Sequence, residues 1–128
     1  MLAQVVGAVL AGALLALGTT TIECVDWTQV RNFMGSASIG YGEHSPVGFG
    51  LAVALGIEVI ATGLLMLVIL GATRKSAPPS VAPFAIGLGL AVLVVWAIPF
   101  TNGALNPARA TATALFADTW ALQQLWAF

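Results

Sequence analysis

The sequence predicts an all-α membrane protein, and its composition and its apolar segments are the basis of that prediction. Of the 128 residues, 59% are hydrophobic and 7% are charged, whereas a soluble domain carries roughly a quarter of charged residues. Three apolar segments, residues 2–20, 47–72 and 81–100, approach or exceed the roughly 20 residues that a helix needs to cross a bilayer. An isolated strand would leave its backbone groups unpaired in lipid, so we expect each segment to be a helix.

The charge balance and the motif content exclude several classes of function. A net charge of −1 provides no basic patch for nucleic acid. The single cysteine, Cys24, has no partner for an internal disulfide and is expected to be a passive loop residue. No metal-ligand spacing, phosphate-binding glycine loop or nucleophile–base pattern occurs. We therefore expect no enzyme activity, no metal and no cofactor.

The order of the polar segments predicts how the spans are oriented. No basic residue precedes the first apolar run, which favours a retained helix over a cleaved signal peptide. The short loop "TRKSAPPS" contains Arg74 and Lys75, and the positive-inside rule places it in the cytoplasm together with the N-terminus. The long polar segment 21–46 is then external. The bias is small, because that segment carries Arg31.

Glu58 is the one charged residue inside a predicted span. An intramembrane carboxylate usually faces the interior of a helix bundle and has a partner. Two roles are open from the sequence: a proton-coupling group of a small exporter, or a buried acceptor for backbone N–H groups of a loop.

The stretch "TNGALNPARATATALF", residues 101–116, follows the third span and has two interpretations. A fourth span over residues 110–128 would place Asp118 in the membrane, at a cost of about 3 kcal/mol for a central aspartate. The alternative is a re-entrant half-helix over about residues 106–117. The ten apolar-rich residues 107–116 would form roughly 15 Å of helix, or half a bilayer. We favour the half-helix.

The head of this half-helix is chemically suited to a water path. Asn106 is a good N-cap and Pro107 suits the first helical position. The unpaired N–H groups and the helix dipole would place partial positive charge at the midplane, and Arg109 adds a full charge. The preceding residues, "TNGAL", would offer bare carbonyl groups. Donors on one side and acceptors on the other favour water and disfavour cations and protons.

The segment "TNGALNPAR" resembles the second NPA box of the aquaporins, the major intrinsic protein family. Other segments resemble bacterial members in order and spacing: "AQVVG", "GYGEHSP", "GATRKSAP", "PFAIGLGL" and "WALQQLW". Aquaporins contain six spans and two half-helices. The resemblance therefore implies that residues 1–128 form one aquaporin-like membrane domain that covers spans three to five and the second half-helix. By this expectation the chain is an incomplete aquaporin.

The resemblance also implies roles for individual residues. Asn106 would donate its amide to midplane water, and Arg109 would line the selectivity filter. Val94 stands where water-selective members usually carry histidine, and Gly103 occupies another filter position, so this half of the filter would be wide and apolar enough for glycerol. The complete set comprises the NPA motif (Asn106, Pro107 and Ala108), the filter (Arg109, Val94 and Gly103), the pore carbonyls (Asn102, Gly103 and Ala104), and loop support by Glu58 and, more weakly, by Gln4.

The implied function is a passive channel for water and small neutral solutes that excludes ions and protons. Such a protein would be a multi-pass, tetrameric component of the bacterial inner membrane. Three alternatives are open. The chain could be a non-conducting fragment, two oppositely inserted copies could rebuild a pore, or Glu58 could couple an exporter to protons.

Overall fold

The computed structural model describes residues 2–22 and 25–128, and helices and turns make up this part of the chain. No strand occurs within these ranges, which confirms the all-α prediction. The helices are α1 (Leu2–Thr20), α2 (Trp27–Ala37), α3 (Leu51–Thr73), α4 (Ala82–Thr101), α5 (Pro107–Ala114) and α6 (Thr119–Gln124), with short 3₁₀ turns at Gly42–His44 and Leu125–Ala127. The expectation for Cys24 lies outside the described residues.

Three of the described helices, α1, α3 and α4, are long and apolar enough to cross a membrane. They contain 19, 23 and 20 residues, with mean hydropathies of 2.0, 2.5 and 2.2. Helix α3 begins at Leu51, later than the apolar run at residue 47, because the preceding residues form a turn. In that turn Ser45 Oγ accepts hydrogen bonds from the N–H groups of Gly48 and Phe49, and Gly48 adopts a φ of 86°. A positive φ there is compatible with glycine and interrupts the helical backbone.

The long helices pack in two groups. Helix α3 packs mainly against α4, and α1 packs mainly against α5. The contact between α3 and α4 is close at Gly89, where an added Cβ would lie 3.1 Å from Cγ1 of Val68. The contact between α1 and α5 is closer, since a Cβ on Gly12 would lie 2.5 Å from the carbonyl oxygen of Ala112. Small residues thus let the helix backbones approach.

The polar segment between α1 and α3 (residues 21–50) is called here the outer loop, after the side of the membrane predicted for it. It contains helix α2, which was not predicted from the sequence. Asp26 caps this helix: its side chain accepts from the N–H of Gln29, and the Gln29 side chain accepts from the N–H of Asp26. This capping box was a readable signal in "DWTQ". The buried side chains of Val30 and Met34 join Ala16 of α1 in one apolar cluster. The outer loop is therefore anchored to α1.

After α4 the chain turns back into the protein and then forms α5, as the re-entrant prediction requires. Residues 104 and 105 reach Glu58, about two turns into α3. Helix α5 then runs alongside α1: Ala112 lies against Gly12, and Phe116 packs near Ala16. It ends at Ala114, earlier than the predicted residue 117. A turn separates it from α6, so no continuous fourth span forms over residues 110–128.

Candidate functional site

The candidate site is built around residues 101–109, which run from the last residue of α4 through the connection 102–106 into the first turn of α5. Three residues in this segment have positive φ angles: 74° at Asn102, 68° at Gly103 and 48° at Leu105. Glycine and asparagine tolerate this region, but for a leucine it is sterically unfavourable. The segment therefore depends on hydrogen bonds from other parts of the chain to hold its conformation.

Glu58 supplies those hydrogen bonds. Its side chain is 8% exposed. Oε1 accepts from the hydroxyl of Thr101 at 2.5 Å and from the N–H of Ala104 at 3.0 Å. Oε2 accepts from the N–H of Leu105 at 2.9 Å. Hydrogen bonds to a charged group contribute about 1.5–3 kcal/mol each. This geometry favours the bracing role over the proton-coupling role, since both oxygens are engaged by backbone or hydroxyl donors.

The N-terminus of α5 follows directly after the connection 102–106. The side-chain oxygen of Asn106 accepts from the N–H of Ala108 at 2.9 Å, and Pro107 occupies the first helical position. Asn106 and Pro107 are exposed in the chain. Together with Glu58 and Leu105 they line a cavity of about 420 Å³ beside α3. The remaining lining is largely apolar, from residues such as Val59, Met66 and Phe128.

Arg109 projects from the first turn of α5 back toward the start of the segment. Its Nη2 donates to the carbonyl oxygen of Asn102 at 3.3 Å. Its Nη1 is buried and has no hydrogen-bond partner in the part of the chain that the structure describes. The guanidinium group is thus held to the described residues by a single backbone acceptor.

The two other filter positions expected from the sequence are neighbours in the fold. An added Cβ on Gly103 would lie 3.2 Å from the carbonyl oxygen of Val94 and 3.5 Å from its Cγ1. Within residues 2–22 and 25–128, no group donates a hydrogen bond to the carbonyl oxygens of Gly103 and Ala104. Both residues are buried, and their carbonyl oxygens have unused acceptor capacity among the described residues, whereas the carbonyl oxygen of Asn102 accepts from Arg109.

Not every residue expected at the site is found there. Gln4 is exposed near the start of α1, and no hydrogen bond between described residues joins it to residues 102–106. Conversely, the sequence reasoning assigned Asn102 only a backbone role. Its side chain donates to the carbonyl oxygens of Ser36 and Ser38 in the outer loop. The signal for this residue was its place directly after a helix, where asparagine adopts the left-handed conformation.

The chain has three helices that can span a bilayer and a re-entrant half-helix that begins with Asn-Pro. These features define a class of helical membrane proteins in which a non-helical segment lies inside the bundle. The model of the major intrinsic protein family matches residues 1–128. The chain therefore belongs to the major intrinsic protein family, which confirms the resemblance. It is 46% identical over all of its 128 residues to Aquaporin Z of Photorhabdus laumondii subsp. laumondii. It spans about half of that relative's length, 54%.

Proposed function

We propose that this chain contributes to a passive channel for water and small neutral solutes, with no catalytic step. The proposal rests chiefly on residues 102–109. Along this segment follow the carbonyl oxygens of Gly103 and Ala104, which accept no hydrogen bond from the described residues, then an N-capping asparagine and a guanidinium group. Acceptors followed by donors suit a water molecule, which can use both. The positive end of α5 and the charge of Arg109 would repel cations and protons.

In this proposal each residue has a physical role, and Gly103 has two. The amide of Asn106 donates to water at the midplane, with Pro107 and Ala108 completing the head of the half-helix. Arg109, Val94 and Gly103 form the narrow filter. Because valine and glycine present little polar surface, we propose that this filter also accepts glycerol. The carbonyls of Asn102, Gly103 and Ala104 act as acceptors, and Glu58 braces the segment. For Gln4, residues 2–22 and 25–128 contain no hydrogen bond that supports a bracing role.

The proposed setting is the bacterial inner membrane, with the outer loop external and a homo-oligomer, expected as a tetramer, as the assembled form. Exposed apolar side chains on the long helices support burial in lipid or against further protein. Examples are Val59 at 71% exposure, Leu67 at 66%, Leu88 at 70% and Val95 at 68%. Such surfaces are unfavourable in water and favourable in a bilayer.

The alternative is that the 128-residue chain does not conduct by itself. Two observations favour it. The chain spans only 54% of the relative's length, and Asn106 and Pro107, which line the cavity beside α3, are exposed. In a complete channel, polar backbone at that depth must be covered by protein or must line water.

Stopped-flow light scattering of proteoliposomes containing the chain distinguishes the two. We expect osmotic shrinkage faster than that of empty vesicles, loss of the excess rate in Arg109→Trp, and retention in Arg74→Trp. Arg74 is the matched control, because it is exposed in the loop between α3 and α4. A wild-type rate equal to that of empty vesicles would support the non-conducting alternative. An inward glycerol gradient on the same vesicles tests solute passage.

A further inference from the structure

We infer that Asn102 is a positioning residue for Arg109. Its side chain fastens residue 102 to the outer loop, and its own carbonyl oxygen accepts the hydrogen bond from the Arg109 guanidinium. The inference deepens the proposed function, since it assumes that Arg109 borders the permeation path. Its structural core, a tether between the outer loop and Arg109, can be measured separately from transport.

The tether uses the full donor capacity of one amide group. Nδ2 of Asn102 donates to the carbonyl oxygen of Ser36 at 2.7 Å and to that of Ser38 at 3.0 Å. A side-chain amide has two N–H donors, so both are engaged. The partners are 66 and 64 residues away along the chain. The contact therefore joins the end of α4 to the end of α2.

The two acceptors belong to a well-anchored part of the outer loop. Ser38 is 2% exposed, and its hydroxyl donates to the carbonyl oxygen of Met34 at 2.8 Å. Met34 itself is fully buried in the cluster with Val30 and Ala16. The next residue along the chain, Ile39, is buried in a second cluster with Ala104 and Ala110. The Ser38 half of the anchor is thus part of the packed interior, whereas Ser36 is exposed at the end of α2.

Backbone hydrogen bonds add to the tether in orienting the carbonyl group that Arg109 uses. The N–H of Asn102 donates to the carbonyl oxygen of Ile98 at 3.0 Å. At the next peptide unit, the N–H of Gly103 donates to Oγ1 of Thr101 at 3.2 Å. The Gly103 N–H thus orients the peptide plane between residues 102 and 103, and the Asn102 N–H orients the plane before it. The carbonyl oxygen of Asn102 lies 3.3 Å from Nη2 of Arg109.

Removal of the side chain alone isolates the tether. Asn102 has a φ of 74°, a conformation that glycine adopts without strain. Asn102→Gly therefore keeps the backbone conformation accessible and deletes both bonds to the outer loop. Without them the peptide plane at residue 102 gains freedom, and the bond from Arg109 Nη2 weakens. The acceptors of the tether are backbone oxygens, so Ser36→Ala leaves the tether intact and serves as the control.

The deciding measurement is the hydrogen exchange of the Arg109 guanidinium protons, by nitrogen-15 NMR of the chain in lipid bilayers. The Arg109 signal is assigned by its loss in Arg109→Lys. In Asn102→Gly we expect exchange to accelerate roughly tenfold or more, as for the loss of one hydrogen bond to a charged group, with Ser36→Ala unchanged. Exchange in Asn102→Gly equal to that of the wild type would overturn the inference.

A second readout separates a positioning role from general destabilisation. Where the wild-type vesicles conduct, Asn102→Gly should raise the ratio of glycerol to water permeability. A more mobile Arg109 side chain leaves the path wide enough for glycerol for a larger fraction of the time. A loss of folded protein lowers both permeabilities and leaves their ratio unchanged, and that outcome would contradict a positioning role. Wild-type vesicles without conduction would refute the proposed function, while the NMR result would still decide whether the tether exists.

Discussion

Glu58 carries the hydrogen bonds on which residues 101–105 depend, and Glu58→Gln tests this dependence with a minimal change of shape. A glutamine can place its oxygen where Oε1 accepts from Thr101 and Ala104. Its NH₂ group then occupies the position of Oε2, 2.9 Å from the nitrogen of Leu105. Two donors face each other there, so the N–H of Leu105 loses its partner.

The structure sets the size of the expected effect. A buried N–H left without an acceptor costs about 1–3 kcal/mol. At tenfold for about every 1.4 kcal/mol, local opening and amide exchange at Leu105 should accelerate roughly 5- to 150-fold. Glu58→Ala leaves the N–H groups of both Ala104 and Leu105 unpaired, for about 2–6 kcal/mol. The positive φ of Leu105, 48°, adds to the tendency of this segment to relax.

Hydrogen–deuterium exchange of the chain in lipid nanodiscs, read at residues 102–106, is the assay. Glu43→Gln is the matched control, because Glu43 is an exposed glutamate of the outer loop. We expect the order wild type, Glu58→Gln, Glu58→Ala for increasing exchange, with Glu43→Gln equal to the wild type. Unchanged exchange at Leu105 in Glu58→Gln would refute the bracing role. A pH-dependent transport that disappears in this variant would instead support proton coupling.

Two glycine substitutions test the close contacts of the fold. Gly12→Ala should separate α1 from α5 and destabilise the protein by about 1–3 kcal/mol, since its Cβ would lie 2.5 Å from a carbonyl oxygen of α5. Gly7→Ala, which meets nothing within 4 Å, is the control in the same thermal unfolding measurement, and equal losses would contradict the packing argument. Gly103→Ala combines a φ of 68° with a contact of 3.2 Å, whereas Gly48→Ala combines a φ of 86° with open space. We therefore expect a larger loss of melting temperature for Gly103→Ala, and an equal loss would show that the contact is unimportant.

The sequence predicted the half-helix well because its signals are local. An asparagine followed by proline begins a helix by its own hydrogen bond and backbone preference, and the structure has this cap at Asn106. Helix α2 was missed because its segment is too polar to resemble a membrane span, although its apolar residues Trp27, Val30 and Met34 recur at helical spacing. The early end of α5 at Ala114 was also missed. Its last turn is tightened by the Phe116 N–H, which donates to the carbonyl oxygen of Thr113, and apolar composition does not encode such a change.

The residues around the half-helix show the limit of sequence reasoning more clearly. Glu58 was singled out because a lone carboxylate in an apolar span needs a partner, but the sequence did not identify Leu105 as one of its donors. Gln4 was considered as a second residue that braces the re-entrant segment, but it is exposed near the start of α1. The side chain of Asn102 was overlooked, because a left-handed residue after a helix predicts a turn without naming the groups that its side chain will meet.

The sequence by itself determined the solvent and the class of structure. A chain with 59% hydrophobic and 7% charged residues is suited to lipid, and in lipid its apolar segments satisfy their backbone only as helices. The tertiary structure alone decided which groups hold the re-entrant segment. Glu58 accepts hydrogen bonds from Ala104 and Leu105, which lie 46 and 47 positions later in the chain, and the outer loop accepts from Asn102. Such pairs depend on the depth and rotation of each helix relative to its neighbours, which are set by packing between distant segments and leave no periodic pattern in the sequence.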